Sequence, residues 1–203
     1  MRYKRVFFAH IVMTATLADR FILICWAICI VYWLVTAFAV KRTVESHGVL
    51  WRWVILADVL VVAMLLRGSG PLPLSLWARL WPYTPIMGII ADLIALAGLL
   101  VLLWARTVLG GNWSVSVVLK EHHELVQRGP YRYVRHPIYS GLLLMLLGMA
   151  ILQGRAVGFA VVVLFLLGFR FKAHQEEGLL TRHFPAAYPL YRARVKGLIP
   201  FVW

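Results

Sequence analysis

Long apolar runs are the feature that most constrains the fold of this chain. A helix of about 20 apolar residues crosses the roughly 30 Å hydrocarbon core of a bilayer. The chain is 62% hydrophobic, whereas about 45–50% is usual in soluble domains. We therefore predict an all-α, polytopic integral membrane protein with about five transmembrane helices. The candidate spans are Phe21–Val40, Val49–Leu66, Ile86–Leu109, Pro137–Gln153 and Gly158–Phe171.

The last two runs are short, and only residues 154–157 separate them. They predict a tight helical hairpin, one that need not cross the bilayer fully. The stretch after them, from Arg170 to Lys196, is dense in charged and aromatic residues and predicts helix on or near the cytoplasmic surface. Residues 1–109 are interpreted as a scaffold of three spans, and residues 110–203 as the catalytic region, because nearly all the reactive polar groups fall there.

Basic residues lie at the ends of the spans, as membrane topology favours. The chain has 21 Lys and Arg against 8 Asp and Glu, but no polar face collects them, which argues against nucleic-acid binding. With the loop before Pro137 on the cytoplasmic side, 14 basic residues lie there and 7 on the other side. The basic N-terminus is an exception: either Val6–Ala18 is an interfacial amphipathic segment, or the number of spans differs by one. No cleavable signal is evident, and the small size favours a bacterial or archaeal inner membrane over the endoplasmic reticulum.

The densest polar group of the chain is GPYRYVRHPIYSG, from Gly129 to Gly141. Proline is favoured at the first position of a helix, so Pro137 predicts a helix start with His136 at the N-cap. The N-terminus of a helix carries free N–H groups and partial positive charge, which suit a carboxylate or a phosphate. An ordinary interfacial cap is the alternative for His136. The neighbouring side chains of Tyr131, Arg135 and Tyr139 favour a functional site.

A second polar cluster runs from Arg170 to Phe184. On a helix Arg170, His174 and Glu177 share one face, while Lys172 and Glu176 form an i, i+4 pair. A surface helix with weak ion pairs would explain these charges equally simply. Their position next to the last apolar run favours a second half of the same site.

Two other pairs of residues have structural explanations. Cys25 and Cys29, one helical turn apart in the first span, are interpreted as small packing residues. His122 and His123 lie beside glutamates, but adjacent side chains point to different sides, and no second cluster has zinc-ligand spacing. We therefore predict no metal site.

The sequence also places two carboxylates, Asp58 and Asp92, inside the predicted spans. An ionisable group in the membrane is costly unless it is paired, so a functional role is open for both. The alternative is that each accepts hydrogen bonds from a neighbouring helix or lies near the end of its span.

Over roughly residues 112–201, the sequence resembles the C-terminal signature of the isoprenylcysteine carboxyl methyltransferase (ICMT) family and its phospholipid-methyltransferase relatives. Each tripeptide alone is weak, whereas the ordered set is specific. One position departs from the family pattern, since Pro185 rather than glycine follows Phe184. The matching residues are Gly129-Pro130-Tyr131, Arg135-His136-Pro137, Tyr139, Gly141, Glu176-Glu177, Leu180, Phe184, Tyr188, Tyr191, Val195 and Pro200.

The resemblance implies an S-adenosylmethionine-dependent membrane methyltransferase that encloses its cofactor between the hairpin and the C-terminal helices, on the cytoplasmic side. The lipophilic substrate would enter from the lipid. By the same resemblance, Arg170 and Glu177 are the catalytic residues. The cofactor-binding residues that it implies are Lys120, His123, Leu125, Val126, Gly129, Pro130, Tyr131, Arg135, His136, Tyr139 and Glu176.

Several functions stay open from the sequence. The family suggests carboxyl methylation of an isoprenylcysteine-like acceptor, while a phospholipid amine or a small lipophilic thiol would suit the same lipid-facing entrance. An NADPH-dependent reductase of sterol-like lipids has a similar C-terminal arrangement, and a non-catalytic scaffold is the third class. The paired Glu176-Glu177 favours a cofactor with an amino-acid end over NADPH. No soluble domain for an obligate protein partner is evident.

Overall fold

The computed structural model of the protein describes residues 2–37, 74–110 and 125–199. Within these ranges the chain is helical, with two isolated β-bridges and no strand. The elements are α1 (Arg2–Ala37), α2 (Leu74–Trp77), α3 (Pro85–Leu109), a short 3₁₀ helix (Gly129–Arg132), α4 (Pro137–Gln153), α5 (Ala156–His183) and α6 (Ala187–Arg194).

Three of these helices are long and apolar enough to cross a membrane: residues Leu17–Thr36 of α1, the whole of α3, and α5. The apolar helix α4 is shorter, with 17 residues. The all-α, polytopic membrane fold predicted from the sequence is thereby confirmed. The predicted span Val49–Leu66 lies outside the described residues.

Helix α5 is longer than the predicted span Gly158–Phe171, because it continues without a break at Arg170 and has 28 residues. The helix predicted after Arg170 is confirmed over residues 170–183, where it is continuous with the span, and its position at the cytoplasmic surface stays a prediction. The loss of hydropathy at Arg170 does not stop a helix, and this stretch contains no proline. Helix α5 ends where the amide of Phe184 donates to the carbonyl of Leu180 at 2.8 Å and Pro185 follows. Similarly, α1 is continuous from Arg2, so residues 6–18 form one helix with the first span, Leu17–Thr36.

Helices α4 and α5 form the predicted hairpin through a turn of two residues. Gly154 ends α4 with φ of 60°, in the left-handed region that favours glycine. A side chain there would also collide with Trp81, whose Nε1 lies 2.9 Å from the Cβ position. The chain before α3 covers this turn, since the amide of Leu80 donates to the carbonyl of Gly154 at 2.7 Å.

Small residues bring α3 and α4 into close contact along their length. A Cβ at Gly141 would lie 2.7 Å from the carbonyl oxygen of Gly98, and one at Gly98 would lie 2.6 Å from that of Gly141. A Cβ at Gly148 would meet the carbonyl oxygen of Ala91 at 2.7 Å. Such glycine contacts let helix backbones approach closely where the bilayer provides no hydrophobic driving force. Gly141, part of the polar motif in sequence, is therefore a packing residue.

The first span packs on this pair of helices. Cys25 and Cys29 are free thiols, buried against Leu99, Leu102 and Met145, which agrees with their interpretation as packing residues.

Arg106, which is only 2% exposed, stabilises the end of the bundle where the candidate site lies. Its Nη1 donates to the carbonyl of Gly110 at 2.7 Å, and its Nη2 donates to that of Thr36 at 2.9 Å. A cation is favourable at helix C-termini, where carbonyls lack partners within the helix. Arg106 thus ties the ends of α1 and α3 together.

Asp92 lies seven residues into α3, toward the opposite end of the helix. Its Oδ1 atom is buried and has no hydrogen-bond partner among the described residues. The other intramembrane carboxylate, Asp58, lies outside them.

Candidate functional site

The residues before α4 fold against the C-terminal end of α3. Gly129 begins the 3₁₀ helix with φ of 60°, and a Cβ there would lie 2.9 Å from Val108. Glycine is therefore required at this position both for backbone conformation and for space. The buried Tyr131 donates its hydroxyl to the carbonyl of Ala105 at 3.4 Å. Its own carbonyl accepts the hydroxyl of Tyr191 at 2.6 Å, which joins this turn to α6.

Helix α4 begins as the sequence predicts, with Pro137 in its first turn and His136 at the N-cap. The His136 side chain makes no capping hydrogen bond with its own helix. Its ring instead points to α5, where it lies between Glu176 and Glu177. The two polar motifs, about forty residues apart in sequence, meet here. The group formed by Arg135, His136, Tyr139, Glu176 and Glu177 is called the carboxylate cluster below.

Glu177 is 6% exposed and surrounded by cationic groups. Arg135 places its Nε at 2.8 Å and its Nη2 at 2.7 Å from Oε1 of Glu177. The same oxygen lies 3.1 Å from Nε2 of His136. The second oxygen, Oε2, lies 3.4 Å from Nε of Arg192 on α6. A buried carboxylate is tolerated only with such compensation, so Glu177 joins α4, α5 and α6.

Glu176 is more open to its surroundings. Its Oε1 accepts a hydrogen bond of 2.6 Å from the Tyr139 hydroxyl, and its Oε2 lies 3.4 Å from Nδ1 of His136. The charge of Lys172, one turn earlier on α5, also acts on this carboxylate. Its side chain is 24% exposed, compared with 7% for that of Glu177. Of the two carboxylates, Glu176 is thus the more accessible to a ligand.

His136 is held as a cation by its neighbours. Burial by itself lowers the pKa of the imidazole, but the hydrogen bonds and negative charges of Glu176 and Glu177 outweigh it, so the pKa is raised above its ordinary value. In the protonated ring both nitrogens donate. One imidazolium therefore serves both carboxylates.

Aromatic rings continue from the carboxylate cluster along the hairpin. The ring of His136 stacks on that of Tyr139 at 5.6 Å, and Tyr139 stacks on Phe169 at 4.8 Å, with interplanar angles of 11° and 8°. The ammonium of Lys172 lies 5.4 Å from the centre of the Tyr139 ring, within the range of a cation–π interaction. This stack fixes the rotamers of the polar groups between α4 and α5.

The C-terminal segment closes the cluster through backbone hydrogen bonds. The amides of Arg135 and His136 donate to the carbonyls of Lys196 and Gly197 at 2.8 and 3.0 Å. The Ser140 hydroxyl donates to the carbonyl of Leu198 at 2.6 Å.

The Arg135 side chain also reaches this segment. Its Nη1 donates to the carbonyls of Arg192, at 3.3 Å, and Val195. Since its Nε and Nη2 are directed at Glu177, Arg135 clamps α5 and the C-terminal segment to the start of α4.

A cavity of about 70 Å³ lies beside the carboxylate cluster. This volume has room for several water molecules or a small ring. Its lining includes five of the residues that the resemblance assigned to the cofactor: Leu125, Val126, Tyr131, Arg135 and His136. Tyr188 and Tyr191 of α6 form another part of the wall.

Other residues predicted to act in the site are distributed differently. Lys120 and His123 lie outside the described residues. Gly129 and Pro130 shape the 3₁₀ helix. Arg170 is exposed on α5, two turns before the buried Glu177. Its role next to the reacting groups stays a prediction.

Arg192, which contacts Glu177, was missed as a site residue in the sequence. Lys172, which contacts Tyr139, was recognised only as the i, i+4 partner of Glu176, and Tyr188, in the cavity wall, only as part of the family signature. Their spacing from the acidic pair contains a partial signal. Lys172 lies one helical turn before Glu176, and Tyr188 and Arg192 lie one turn apart on α6.

Comparison with known proteins gives a family for this region. Residues 90–182 match the model of the isoprenylcysteine carboxyl methyltransferase (ICMT) family. The match begins within α3, before residue 112 where the sequence resemblance was placed. The family match therefore adds residues 90–111 to the region of similarity.

Curated relatives agree with this match. The chain is 37% identical over 94 residues to protein-S-isoprenylcysteine O-methyltransferase B of Arabidopsis thaliana, which covers 43% of this chain and 45% of the relative. It is 37% identical over 96 residues to protein-S-isoprenylcysteine O-methyltransferase of Schizosaccharomyces pombe, covering 46% of this chain and 41% of the relative. The uncharacterized protein YpbQ of Bacillus subtilis is 30% identical over 76 residues, which are 36% of this chain and 45% of that protein.

The aligned segments span less than half the length of each of these relatives. The range matched by the family model, residues 90–182, includes α4, most of α5 and the carboxylate cluster. Residues 90–182 are therefore similar to the ICMT family, in agreement with the resemblance in sequence.

Proposed function

We propose that this protein is an S-adenosylmethionine-dependent membrane methyltransferase that methylates the carboxylate of an isoprenylcysteine-like acceptor. The observation that carries the proposal is the meeting of Arg135 and His136 with Glu176 and Glu177 at one end of a membrane-spanning helical bundle. The family match over residues 90–182 supports it, and so do the two relatives named as isoprenylcysteine O-methyltransferases.

The donor set fits the proposed cofactor. S-adenosylmethionine carries an ammonium and a carboxylate at one end and a nucleoside at the other. Glu176, the more exposed carboxylate, suits the ammonium group. The start of α4, with a protonated His136, suits the carboxylate. The adjoining cavity has the apolar and aromatic walls that a nucleoside needs, and it contains a buried hydroxyl of Tyr188 without a partner among the described residues.

When bound, the cofactor supplies an electrophilic methyl group on a sulfonium. A carboxylate oxygen of the acceptor forms the new C–O bond as the methyl–sulfur bond breaks, which leaves a methyl ester and a thioether and moves no proton. The chain's own residues therefore have three tasks: they hold the reacting groups about 3–3.5 Å apart, align them and exclude water. The C-terminal segment is hydrogen-bonded to Arg135 and His136, and we assign to it the exclusion of water from the site.

The charge of the site favours an anionic acceptor. Two carboxylates, Glu176 and Glu177, lie among Arg135, His136, Arg192 and Lys172, so cationic groups exceed anionic ones when His136 is protonated. An excess of positive charge attracts a carboxylate and keeps it ionised, the state in which it is nucleophilic. The same cations repel the ammonium form in which a phospholipid amine exists at neutral pH. Arg170, to which the resemblance gives a catalytic role, could orient the acceptor carboxylate at the lipid-facing side.

The proposal also covers the location of the site relative to the membrane and the roles of the two parts of the chain. We place the carboxylate cluster on the cytoplasmic side of a bacterial or archaeal inner membrane, and the distribution of Lys and Arg in the sequence supports the choice of side. The region from residue 110 onward is catalytic, joined by the last part of α3, where the family match begins. The preceding helices act as scaffold.

Methyl transfer with a labelled donor tests the reaction. The purified protein in detergent is incubated with S-adenosylmethionine carrying a tritiated methyl group and, separately, an S-farnesylated cysteine derivative, phosphatidylethanolamine or a lipophilic thiol. We expect label in the farnesylated acid, released as volatile methanol by mild base because the product is an ester. Base-stable label in phosphatidylethanolamine or in the thiol would replace carboxyl methylation by the corresponding alternative.

Calorimetric titration distinguishes the enzyme classes. We expect S-adenosylhomocysteine to bind and NADPH not to bind. The opposite result would indicate a membrane reductase, and binding of neither would indicate a scaffold. Glu176→Gln should weaken the binding of S-adenosylhomocysteine, with Gln175→Glu on the exposed neighbouring position as a control for changed charge.

A further inference from the structure

Tyr188 is an unusual component of the cavity wall. It is 1% exposed, and its hydroxyl oxygen is buried without a hydrogen-bond partner in the part of the chain that the structure describes. Buried hydroxyls in folded proteins are nearly always paired, because an unpaired one costs the free energy of its lost hydration. Tyr188 thus combines a place in the cavity wall with a buried hydroxyl that lacks a partner, and this combination is what a partner supplied by a ligand would explain.

The other two tyrosines of the cavity differ from Tyr188. Tyr131 donates its hydroxyl to the carbonyl of Ala105, and Tyr191 donates its hydroxyl to the carbonyl of Tyr131. Their hydroxyls are therefore used in holding the fold. The Tyr188 ring is fixed as firmly, since it packs edge to face on Tyr191 at 6.0 Å, but its hydroxyl is not used.

The hydroxyl of Tyr188 is suited to donate a hydrogen bond. Burial raises the pKa of this phenol, and the negative charge of Glu177 raises it further, so the proton stays on the oxygen at neutral pH. With its proton in place, the hydroxyl can donate to an acceptor atom of a ligand. The nearby wall is apolar, with Leu109, Leu125 and Leu180, and so suits a flat, weakly polar group better than an ammonium or a carboxylate.

We propose that the Tyr188 hydroxyl donates a hydrogen bond to the nucleoside part of the bound methyl donor, which makes Tyr188 a ligand-binding residue of this site. The inference rests on the proposed function. The amino-acid end of the ligand is assigned to Glu176 and His136, so the nucleoside is the part left for the cavity wall at Tyr188.

The test is calorimetric titration of the purified protein and its Tyr188→Phe variant. Two ligands are compared: S-adenosylhomocysteine, and 5′-methylthioadenosine, which has the nucleoside but no amino-acid end. We expect the variant to raise the Kd about fivefold to tenfold for both ligands, the loss of one hydrogen bond. The Tm of the ligand-free variant should equal or exceed that of the wild type, because the change removes an unpaired buried hydroxyl. Tyr133→Phe, at a tyrosine that is 52% exposed, is the matched control and should change neither quantity.

The possible results separate this inference from the proposed function. If the wild type binds neither ligand, the proposed function fails and the inference fails with it. If the wild type binds both and Tyr188→Phe binds them equally well, only the role of Tyr188 is overturned. A loss limited to S-adenosylhomocysteine would overturn the placement of the nucleoside. A variant that binds more weakly because its ligand-free Tm has fallen would show a structural role and overturn the inference too.

Discussion

The Nε2 atom of His136 lies 3.1 Å from Oε1 of Glu177, which joins the residue just before α4 to the C-terminal part of the last long helix, α5. Both side chains are almost fully buried. This contact, together with that of Arg135 on the same oxygen, brings two weak sequence motifs into one site. It also makes the stability of the hairpin depend on the same groups that we assign to ligand binding.

The first prediction concerns pH. The folded-state pKa of His136 is raised above its ordinary value of 6.5, so the protonated ring stabilises the fold. This contribution is fully present below about pH 6.5, the pKa of an unfolded histidine, and is lost as the pH rises through the raised folded-state value. We expect the Tm in detergent to fall between pH 6.5 and 9 in the wild type and to change less in His136→Gln. The exposed His183→Gln should follow the wild type. Identical pH profiles for all three proteins would contradict a charged His136.

The second prediction concerns Arg135 as a clamp. Lysine cannot reproduce its forked contacts with Glu177 and with the carbonyls of Arg192 and Val195. We expect Arg135→Lys to lose on the order of 1–3 kcal/mol, because lysine keeps the charge but leaves some of these buried acceptors without a hydrogen bond. The amides of residues 184–199 should also exchange hydrogen faster. Hydrogen exchange read by mass spectrometry measures both effects, with the exposed Arg182→Lys as control. Unchanged protection of residues 184–199 would show that the clamp is unimportant.

The third prediction concerns the contact between α3 and α4. A methyl group at Gly141 would lie 2.7 Å from the carbonyl oxygen of Gly98, which cannot move without its helix. We expect Gly141→Ala to cost about 1–3 kcal/mol through overpacking, or a fall in Tm of several degrees for a chain of this size. Gly168→Ala is a matched control, since nothing lies within 4 Å of its Cβ position. Equal Tm values for the two variants would mean that α3 and α4 can separate without loss.

Part of this fold can be predicted from the backbone preferences of single residues in the sequence. The bounds of α4 agree with the sequence prediction because Pro137 starts the helix and Gly154 ends it, each by a backbone preference that needs no partner. The continuity of α5 with the span at Arg170 was not predicted, since a change in hydropathy marks a membrane surface and not the end of a helix. Its physical stop is at Phe184 and Pro185.

Less of the candidate site than of the fold can be predicted from the sequence. The sequence indicates both halves, but the choice of partners between them depends on how the hairpin closes. Arg192 resembles any exposed basic residue in sequence, and only the docking of α6 brings it within 3.4 Å of Glu177. Tyr188 likewise belongs to an aromatic pattern that packing alone would explain. Its unpaired hydroxyl is a property of the folded state.

The last prediction separates the roles of the two adjacent glutamates. Glu177 is enclosed by Arg135, His136 and Arg192, so Glu177→Gln leaves buried cations without their counter-ion and should cost on the order of 3 kcal/mol. Glu176 is the more exposed carboxylate and is held by the Tyr139 hydroxyl, which an amide oxygen can also accept. We expect Glu176→Gln to keep nearly the wild-type Tm and to bind S-adenosylhomocysteine at least tenfold more weakly, since a hydrogen bond to a charged group contributes about 1.5–3 kcal/mol. Thermal unfolding and calorimetric titration of both variants measure the two effects. If Glu176→Gln lowered the Tm as much as Glu177→Gln and left the Kd unchanged, Glu176 would be a structural residue, and the ammonium of the cofactor would have to bind elsewhere.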